Sequence, residues 1–102
     1  MISPDNFPEA DQTLVKQLAA KYLKNLDYQL YIFGSRSKQD PCKSYSDLDL
    51  VINSATPIER SLLFQFEEAL EESGLNYRVD VMDWQRISDS FRNTIEKELK
   101  AF

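Results

Sequence analysis

Two stretches of this sequence decide its fold, Phe33-Gly34-Ser35-Arg36 and Asp47-Leu48-Asp49-Leu50-Val51-Ile52. The first closes the run 30–33, Leu-Tyr-Ile-Phe, which is short, β-prone and stopped by glycine, and therefore predicts a buried strand. The second alternates Asp with Leu and then becomes apolar on both faces. This pattern predicts another buried strand, one that begins at a cleft. Between them, we expect one helical turn after Gly34 and then a polar loop.

The rest of the chain supplies helices and one more strand. Apolar residues at helical spacing predict an amphipathic helix over residues 11–26. Thr56-Pro57-Ile58-Glu59 has the order of a capping box and predicts the start of a second helix, which ends near Gly74. Residues 77–82 predict a third strand, and a last helix begins near Ser88. The expected class is α/β (α+β), a small three-stranded mixed sheet flanked by helices.

Length and composition bound the chemistry. The chain has 102 residues, which suits one domain over residues 1–102. It has no histidine, so a Ser-His-Asp triad and a His-ligated zinc are excluded, and its single cysteine excludes an internal disulfide. Carboxylates, together with a hard cation such as Mg²⁺, remain for catalysis. The net charge of −5 argues against binding to duplex nucleic acid.

The sequence also bears on location. No apolar run approaches the roughly 20 residues of a membrane span, so no membrane association is expected. The N-terminal region carries Asp5, Glu9 and Asp11 and does not have the pattern of a signal peptide. We therefore expect a cytoplasmic protein.

Asp47 and Asp49 are the first candidate site residues. Residues i and i+2 of a strand point to the same face, so the two carboxylates would project together. Their repulsion raises the free energy of the folded state, and a divalent cation such as Mg²⁺ would remove that cost. The alternative is a pair on the solvent face of an edge strand. The apolar continuation of the strand makes that alternative weaker.

The Gly34-Ser35 step is the second candidate. Glycine allows a phosphate to approach the backbone, and the N–H groups of a following turn, with the serine hydroxyl, form an anion site. The alternative is a plain strand-to-helix turn with serine as N-cap. Nearby Arg36, Lys38 and Lys43 form a basic strip that supports the anion site, although a solvated loop explains the strip nearly as well.

Taken together, these segments resemble the signature of polymerase-β-like nucleotidyltransferases, and the short chain is similar to the minimal members of that superfamily. The resemblance covers roughly residues 11–100. One departure is that eleven residues separate Ser35 from Asp47, where minimal members often have ten. The segments that carry the resemblance are Phe33-Gly34-Ser35-Arg36, Tyr45-Ser46-Asp47-Leu48-Asp49-Leu50 and Arg78-Val79-Asp80-Val81-Met82-Asp83-Trp84.

The resemblance implies a nucleotidyltransferase fold and a role for each matching residue. Asp47 and Asp49 would hold two Mg²⁺ ions bridged by ATP or another nucleoside triphosphate. Gly34 and Ser35 would hold the β- and γ-phosphates, with Arg36 assisting. The third acid, completing the catalytic and metal-binding set, would be Asp80. Asp83 competes for that role, but its place at the strand end suits a solvated or capping carboxylate better.

The resemblance also implies a function. The chain would move a nucleoside monophosphate, AMP from ATP, onto an acceptor hydroxyl. Minimal members resemble antitoxins of toxin–antitoxin modules, so the implied acceptor is a tyrosine of a HEPN toxin, with which the chain would assemble. Two alternatives stay open: a catalytically weak binding module that neutralises its partner stoichiometrically, and a small-molecule transferase of the aminoglycoside type.

Overall fold

The structure, a computed structural model, describes residues 5–38 and 46–102. The α/β class and the mixed sheet are confirmed, but in the described residues the sheet has four strands rather than three, in the order β3-β2-β1-β4. Single 3-10 turns follow β1 and α3, at Ser35–Ser37 and Glu96–Glu98. The helices are α1 (Glu9–Tyr22), α2 (Arg60–Glu72) and α3 (Asp89–Ile95), and the strands are β1 (Tyr28–Phe33), β2 (Leu48–Ser54), β3 (Val79–Asp83) and β4 (Lys100–Ala101).

The sheet register positions the candidate residues. Strand β2 is antiparallel to β1 and parallel to β3. Asp49 therefore lies between two partners, Phe33 of β1 on one side and Asp80 of β3 on the other. The end of β1 and the beginnings of β2 and β3 consequently meet at the same end of the sheet.

Side-chain alternation gives the sheet two different faces. One face packs against α1 and α2 in the larger core, while the other carries a smaller cluster that α3 covers through Ile95. Asp49 lies on the second face, because Leu48 and Leu50 are fully buried on the first. The buried residues of the larger core are Phe7, Val15, Ala19, Leu23, Leu30, Ile32, Leu48, Leu50, Ile52, Ile58, Phe66 and Leu70.

Some helix boundaries differ from the sequence prediction. Helix α1 covers Glu9–Tyr22 rather than 11–26. Buried Leu23 ends it, and Leu26 lies in a turn in which its N–H donates to the carbonyl of Leu23 over 3.0 Å. The apolar spacing continued into this turn because Leu26 still packs on the core. The prediction of a last helix beginning near Ser88 is confirmed, since Ser88 caps α3 by accepting a hydrogen bond from the Phe91 N–H.

The predicted capping box at Thr56 is wrong. Helix α2 begins at Arg60, with Glu59 at the N-cap position and no side-chain cap. Tertiary contacts hold the preceding segment instead: Asp83 Oδ2 accepts the N–H of Ile58 at 2.8 Å, and Arg86 donates to the Ile58 carbonyl at 2.9 Å. The capping box at Thr56 therefore does not form, and the buried carboxylate of Asp83, at the end of β3, holds this segment instead.

The fourth strand has no sequence signature of its own. Strand β4 is only Lys100–Ala101, and it pairs with Ile32 and Tyr31 of β1. Two residues are too few for an alternation pattern. Phe102, which follows, packs edge-on against buried Phe7, with ring centroids 4.9 Å apart.

None of the helices within residues 5–38 and 46–102 has the length and apolar character needed to span a membrane.

Candidate active site

Gly34 is packed against Asp49 in the candidate site. A Cβ atom built on Gly34 would lie 2.6 Å from Asp49 Oδ2, well inside van der Waals contact. Gly34 also has φ +78° and ψ −155°, a conformation essentially confined to glycine. The absence of a side chain here thus lets the backbone turn directly over the Asp49 carboxylate.

The turn after Gly34 is fixed from within. The buried Ser37 donates to the Gly34 carbonyl twice, from its hydroxyl at 2.7 Å and from its N–H at 3.1 Å. These bonds close the 3-10 turn Ser35–Ser37, as the sequence predicted. Ser35 is exposed at its beginning. A turn of this kind directs its first N–H groups outward, where they are available to an anion.

Asp49 is electrostatically strained. Its pKa is raised above the ordinary aspartate value, first by burial and then by the negative charges of Asp80 and Asp47. This is the repulsion expected when like-charged carboxylates share a face in a partly dry site. The charges of Asp47 and Asp80, the other two predicted acids, thus act on Asp49.

The other two acids are more open than Asp49. Asp47 is exposed and lies just before β2. Asp80 pairs with Arg78, with Nε and Oδ1 3.3 Å apart and side chains 72% and 37% exposed. Ion pairs this exposed contribute little free energy, so Arg78 can release Asp80 at small cost.

The carboxylates near Asp49 raise the question of a bound metal ion. Among residues 5–38 and 46–102, no group of three or more acidic, cysteine or histidine side chains is gathered closely enough to hold an ion. Carboxylate oxygens are nevertheless the usual protein ligands of Mg²⁺, and a cation bound near Asp49 would relieve the repulsion that raises its pKa. Asp47, Asp49 and Asp80 are the side chains that would hold it.

Arg36 is placed differently from an open phosphate-binding cation. Its side chain is buried, only 3% of the residue being exposed. The guanidinium donates from Nε to the Ser46 carbonyl and from Nη1 to the Asn6 carbonyl, both at 2.7 Å. It also stacks on the Tyr77 ring, 3.7 Å from the ring centroid. Arg36 therefore ties the Gly34 turn to the segment that leads into Asp47.

Asp83 has a structural environment. It is 4% exposed, it accepts the N–H groups of Ile58 and Gln85, and its Oδ2 lies 3.3 Å from Arg86 Nε. The expectation of a capping carboxylate is thus met in part, since the Gln85 bond caps the turn after β3, but Asp83 is not solvated. It lies three residues beyond Asp80 and is committed to holding the start of α2.

The basic strip is only partly represented in the described residues. Lys38 is exposed, with Nζ 3.9 Å from a carboxylate oxygen of Glu98. Lys43, Tyr45, Cys42 and most of the loop with the additional residue lie outside the described residues. Asn6 was not singled out from the sequence, yet it is buried and donates to the Lys38 carbonyl at 2.7 Å. Nothing in the lead-in signalled it except the neighbouring apolar Phe7.

Comparison with known families assigns this fold to the nucleotidyltransferases. Residues 15–101 match the family described as polymerase beta nucleotidyltransferases, and the chain belongs to that family. A relative in Haemophilus influenzae is named "Probable protein adenylyltransferase MntA". The two are 41% identical over 86 residues, which is 84% of this chain and 69% of the relative.

Solved structures share the fold. One chain in the structure of a tri-AMPylated Shewanella oneidensis HEPN toxin in complex with MNT antitoxin matches with a TM-score of 0.69 and 18% identity, over 91% of this chain and 69% of that chain. A chain in a toxin–antitoxin structure with AMP-PNP gives a TM-score of 0.73 and 20% identity, over 89% of this chain and 71% of that one. Both matches establish the nucleotidyltransferase fold.

Proposed function

We propose that the chain is a Mg²⁺-dependent protein adenylyltransferase that moves AMP from ATP to a tyrosine hydroxyl of a HEPN toxin and thereby acts as an antitoxin. The identity of 41% to an MntA relative, over 84% of the chain, carries this proposal. The likeness to structures of antitoxin bound to toxin, one with AMPylated toxin and one with AMP-PNP, supports the acceptor and the nucleotide.

The reaction assigns one task to each part of the site. The bond between the α- and β-phosphates breaks, a bond forms between the α-phosphorus and the acceptor oxygen, and pyrophosphate leaves. Gly34 and Ser35 would bind the β- and γ-phosphates through the exposed side of their turn. Arg36 would assist by fixing that turn. Asp80 would take the proton from the acceptor hydroxyl.

Two Mg²⁺ ions, held by Asp47, Asp49 and Asp80, would supply charge neutralisation to the attacking and leaving oxygens. This assignment is the one that the family resemblance implies, and the donor chemistry and the repulsion at Asp49 support it. Release of Asp80 from Arg78 would accompany binding, which the exposure of that ion pair permits.

The test is transfer to an excess of partner. A catalytic amount of the chain, with Mg²⁺ and ATP labelled on its α-phosphate, should label a purified HEPN toxin and add one or more adenylyl masses at tyrosine. A chelator should stop the labelling. Ser35→Ala should raise the KM for ATP about fivefold, the equivalent of roughly 1 kcal/mol for one lost hydrogen bond.

The inactive control is the triple change of Asp47, Asp49 and Asp80 to Asn. It should abolish labelling and also neutralisation of the toxin at substoichiometric amounts. If the triple variant still neutralised the toxin at such amounts, or if the wild-type chain transferred no nucleotide, the chain would be a binding module instead.

A further inference from the structure

A groove runs along the outer side of β3. Asp49 lies between this groove and Gly34. We call it the edge groove. It has a volume of about 670 Å³ and lies between the exposed side of α2 and the edge of the sheet. Its lining residues are Phe64, Glu67, Glu68, Glu71, Glu72 and the strand segment Arg78–Met82.

The sheet edge in this groove has unpaired backbone groups. Strand β3 is the last strand of the sheet within the described residues, so its outer side has no partner there. The Arg78 carbonyl and the Trp84 N–H both bond to β2. Because backbone direction alternates along a strand, Val79 and Val81 point their N–H and C=O groups outward. An extended segment can pair with such an edge as an added strand.

The negative charge of the groove limits which molecules it can bind. Five carboxylates line it against the single guanidinium of Arg78. ATP would be repelled by this concentration of negative charge, which leaves the groove to a different molecule and the Gly34 side to the triphosphate. Lysine or arginine side chains complement the groove, and Phe64, which is 68% exposed on α2, offers an apolar surface for their stems.

Asp80 connects the groove to the candidate active site. It lies in the groove wall, and it is also the β3 partner of Asp49 in the sheet register. A segment paired with Val79 and Val81 would therefore pass directly beside the carboxylate that is proposed to accept a proton. A hydroxyl side chain on that segment would reach the site without crossing the core.

We propose that the edge groove binds an extended, lysine- or arginine-bearing segment of the acceptor protein, which adds as a strand to β3 and delivers its hydroxyl to Asp80. This inference rests on the proposed function for the identity of the acceptor. It depends on the groove itself for the chemistry of the segment: extended backbone, positive charge and one hydroxyl.

The test measures binding without any transfer step. The probes are two synthetic ten-residue peptides with one central tyrosine in a valine background, one with alternating lysines and one with glutamates in their place. The lysine peptide should shift the amide resonances of Val79 and Val81, with an affinity that falls as salt is raised. The glutamate peptide should not bind.

Charge reversal on α2 supplies the matched variant. Glu68→Lys with Glu71→Lys should weaken binding of the lysine peptide at least tenfold at low salt. Asp5→Lys with Asp27→Lys makes the same change in net charge at exposed positions away from the groove and should leave it unchanged. Neither pair belongs to the candidate active site. The proposed function implies that ATP with Mg²⁺ raises the melting temperature, and this rise should persist in both variants.

The outcomes separate the two proposals. Groove binding without nucleotide transfer would overturn the proposed function and leave the docking surface in place. The docking proposal fails if the lysine peptide does not bind at millimolar concentration, if both peptides bind equally, or if the shifts map to another surface. Concentration-dependent self-association through the Val79 and Val81 amides would also overturn it, since the groove would then serve a second copy of the chain.

Discussion

Gly34 leaves room for Asp49. A Cβ atom on Gly34 would approach Asp49 Oδ2 to 2.6 Å, and both the glycine and the acid were singled out from the sequence on separate grounds. The turn proposed to bind phosphate and the carboxylate proposed to bind metal are therefore packed together, and a side chain at Gly34 would have to displace Asp49.

Gly34→Ala should accordingly damage both stability and transfer. The backbone conformation alone costs about 1–3 kcal/mol for a residue with a side chain. The clash then displaces the Asp49 carboxylate. We expect a lower free energy of unfolding in urea and loss of the rise in melting temperature that the proposed function implies for ATP with Mg²⁺.

Gly74→Ala is the matched control for that change. Gly74 also has a positive φ, +89°, but an added Cβ would meet no atom within 4 Å. It should cost about 1–2 kcal/mol in backbone strain and leave nucleotide binding intact. Equal effects of the two alanines on nucleotide binding would show that the contact with Asp49 has no functional consequence.

Asp49→Asn should stabilise the protein at neutral pH. The raised pKa of Asp49 means that the folded state binds its proton more tightly than the unfolded state does. The ionised carboxylate therefore destabilises the fold above that pKa, and the cost disappears as the pH falls through it towards the ordinary value of 3.8. Thermal melts of both proteins across this range should show a gain at pH 7 that shrinks in acid.

Asp27→Asn serves as the control, because Asp27 is exposed and lies just before the opposite end of β1. It removes one charge and should leave the pH dependence unaltered. A loss of stability in Asp49→Asn at neutral pH would mean that the carboxylate is needed for folding, and the site hypothesis would lose its main support.

Some parts of the site could be predicted from the sequence and others could not. The positions of Gly34 after β1 and of Asp49 on one face of β2 could be predicted, because strand alternation and a glycine after an apolar run are local signals. The environment of Asp83 was not, since its partners Ile58 and Arg86 are set by packing of a loop against the end of β3. The same contact displaced the start of α2 from Thr56 to Arg60.

The burial of Arg36 also could not be predicted from the sequence. An arginine beside lysines in a polar segment has the pattern of a solvated cation. Only the fold brings the Asn6 carbonyl, the Ser46 carbonyl and the Tyr77 ring around it. Tyr77 is in turn fixed by donating to Asp11 of α1 at 2.6 Å.

Arg36→Lys should therefore act mainly on stability. An ammonium group cannot reproduce two diverging bonds and the stacked guanidinium plane, so we expect a loss of about 2 kcal/mol in urea unfolding. ATP binding should weaken in parallel because the turn is less well fixed. Arg60→Lys, at an exposed arginine, should change neither. If ATP binding weakened while stability stayed constant, Arg36 would contact the phosphates directly.

Of the two acids of β3, Asp80 should matter for the rate of transfer and Asp83 for the stability of the fold. Asp80→Asn removes a partly exposed carboxylate whose ion pair contributes little, so the free energy of unfolding should stay within about 0.5 kcal/mol of wild type. Asp80 is the proposed proton acceptor, so its loss should slow AMP transfer about 10²- to 10⁴-fold.

Asp83→Asn should instead lower the free energy of unfolding by about 1–3 kcal/mol, because a buried carboxylate loses charge-assisted bonds to Ile58 and Arg86. Urea unfolding and single-turnover transfer at saturating ATP, measured below the unfolding transition of both variants, test the pair. If Asp83→Asn proved stable but inactive while Asp80→Asn kept full activity, Asp83 would be the third acid of the site.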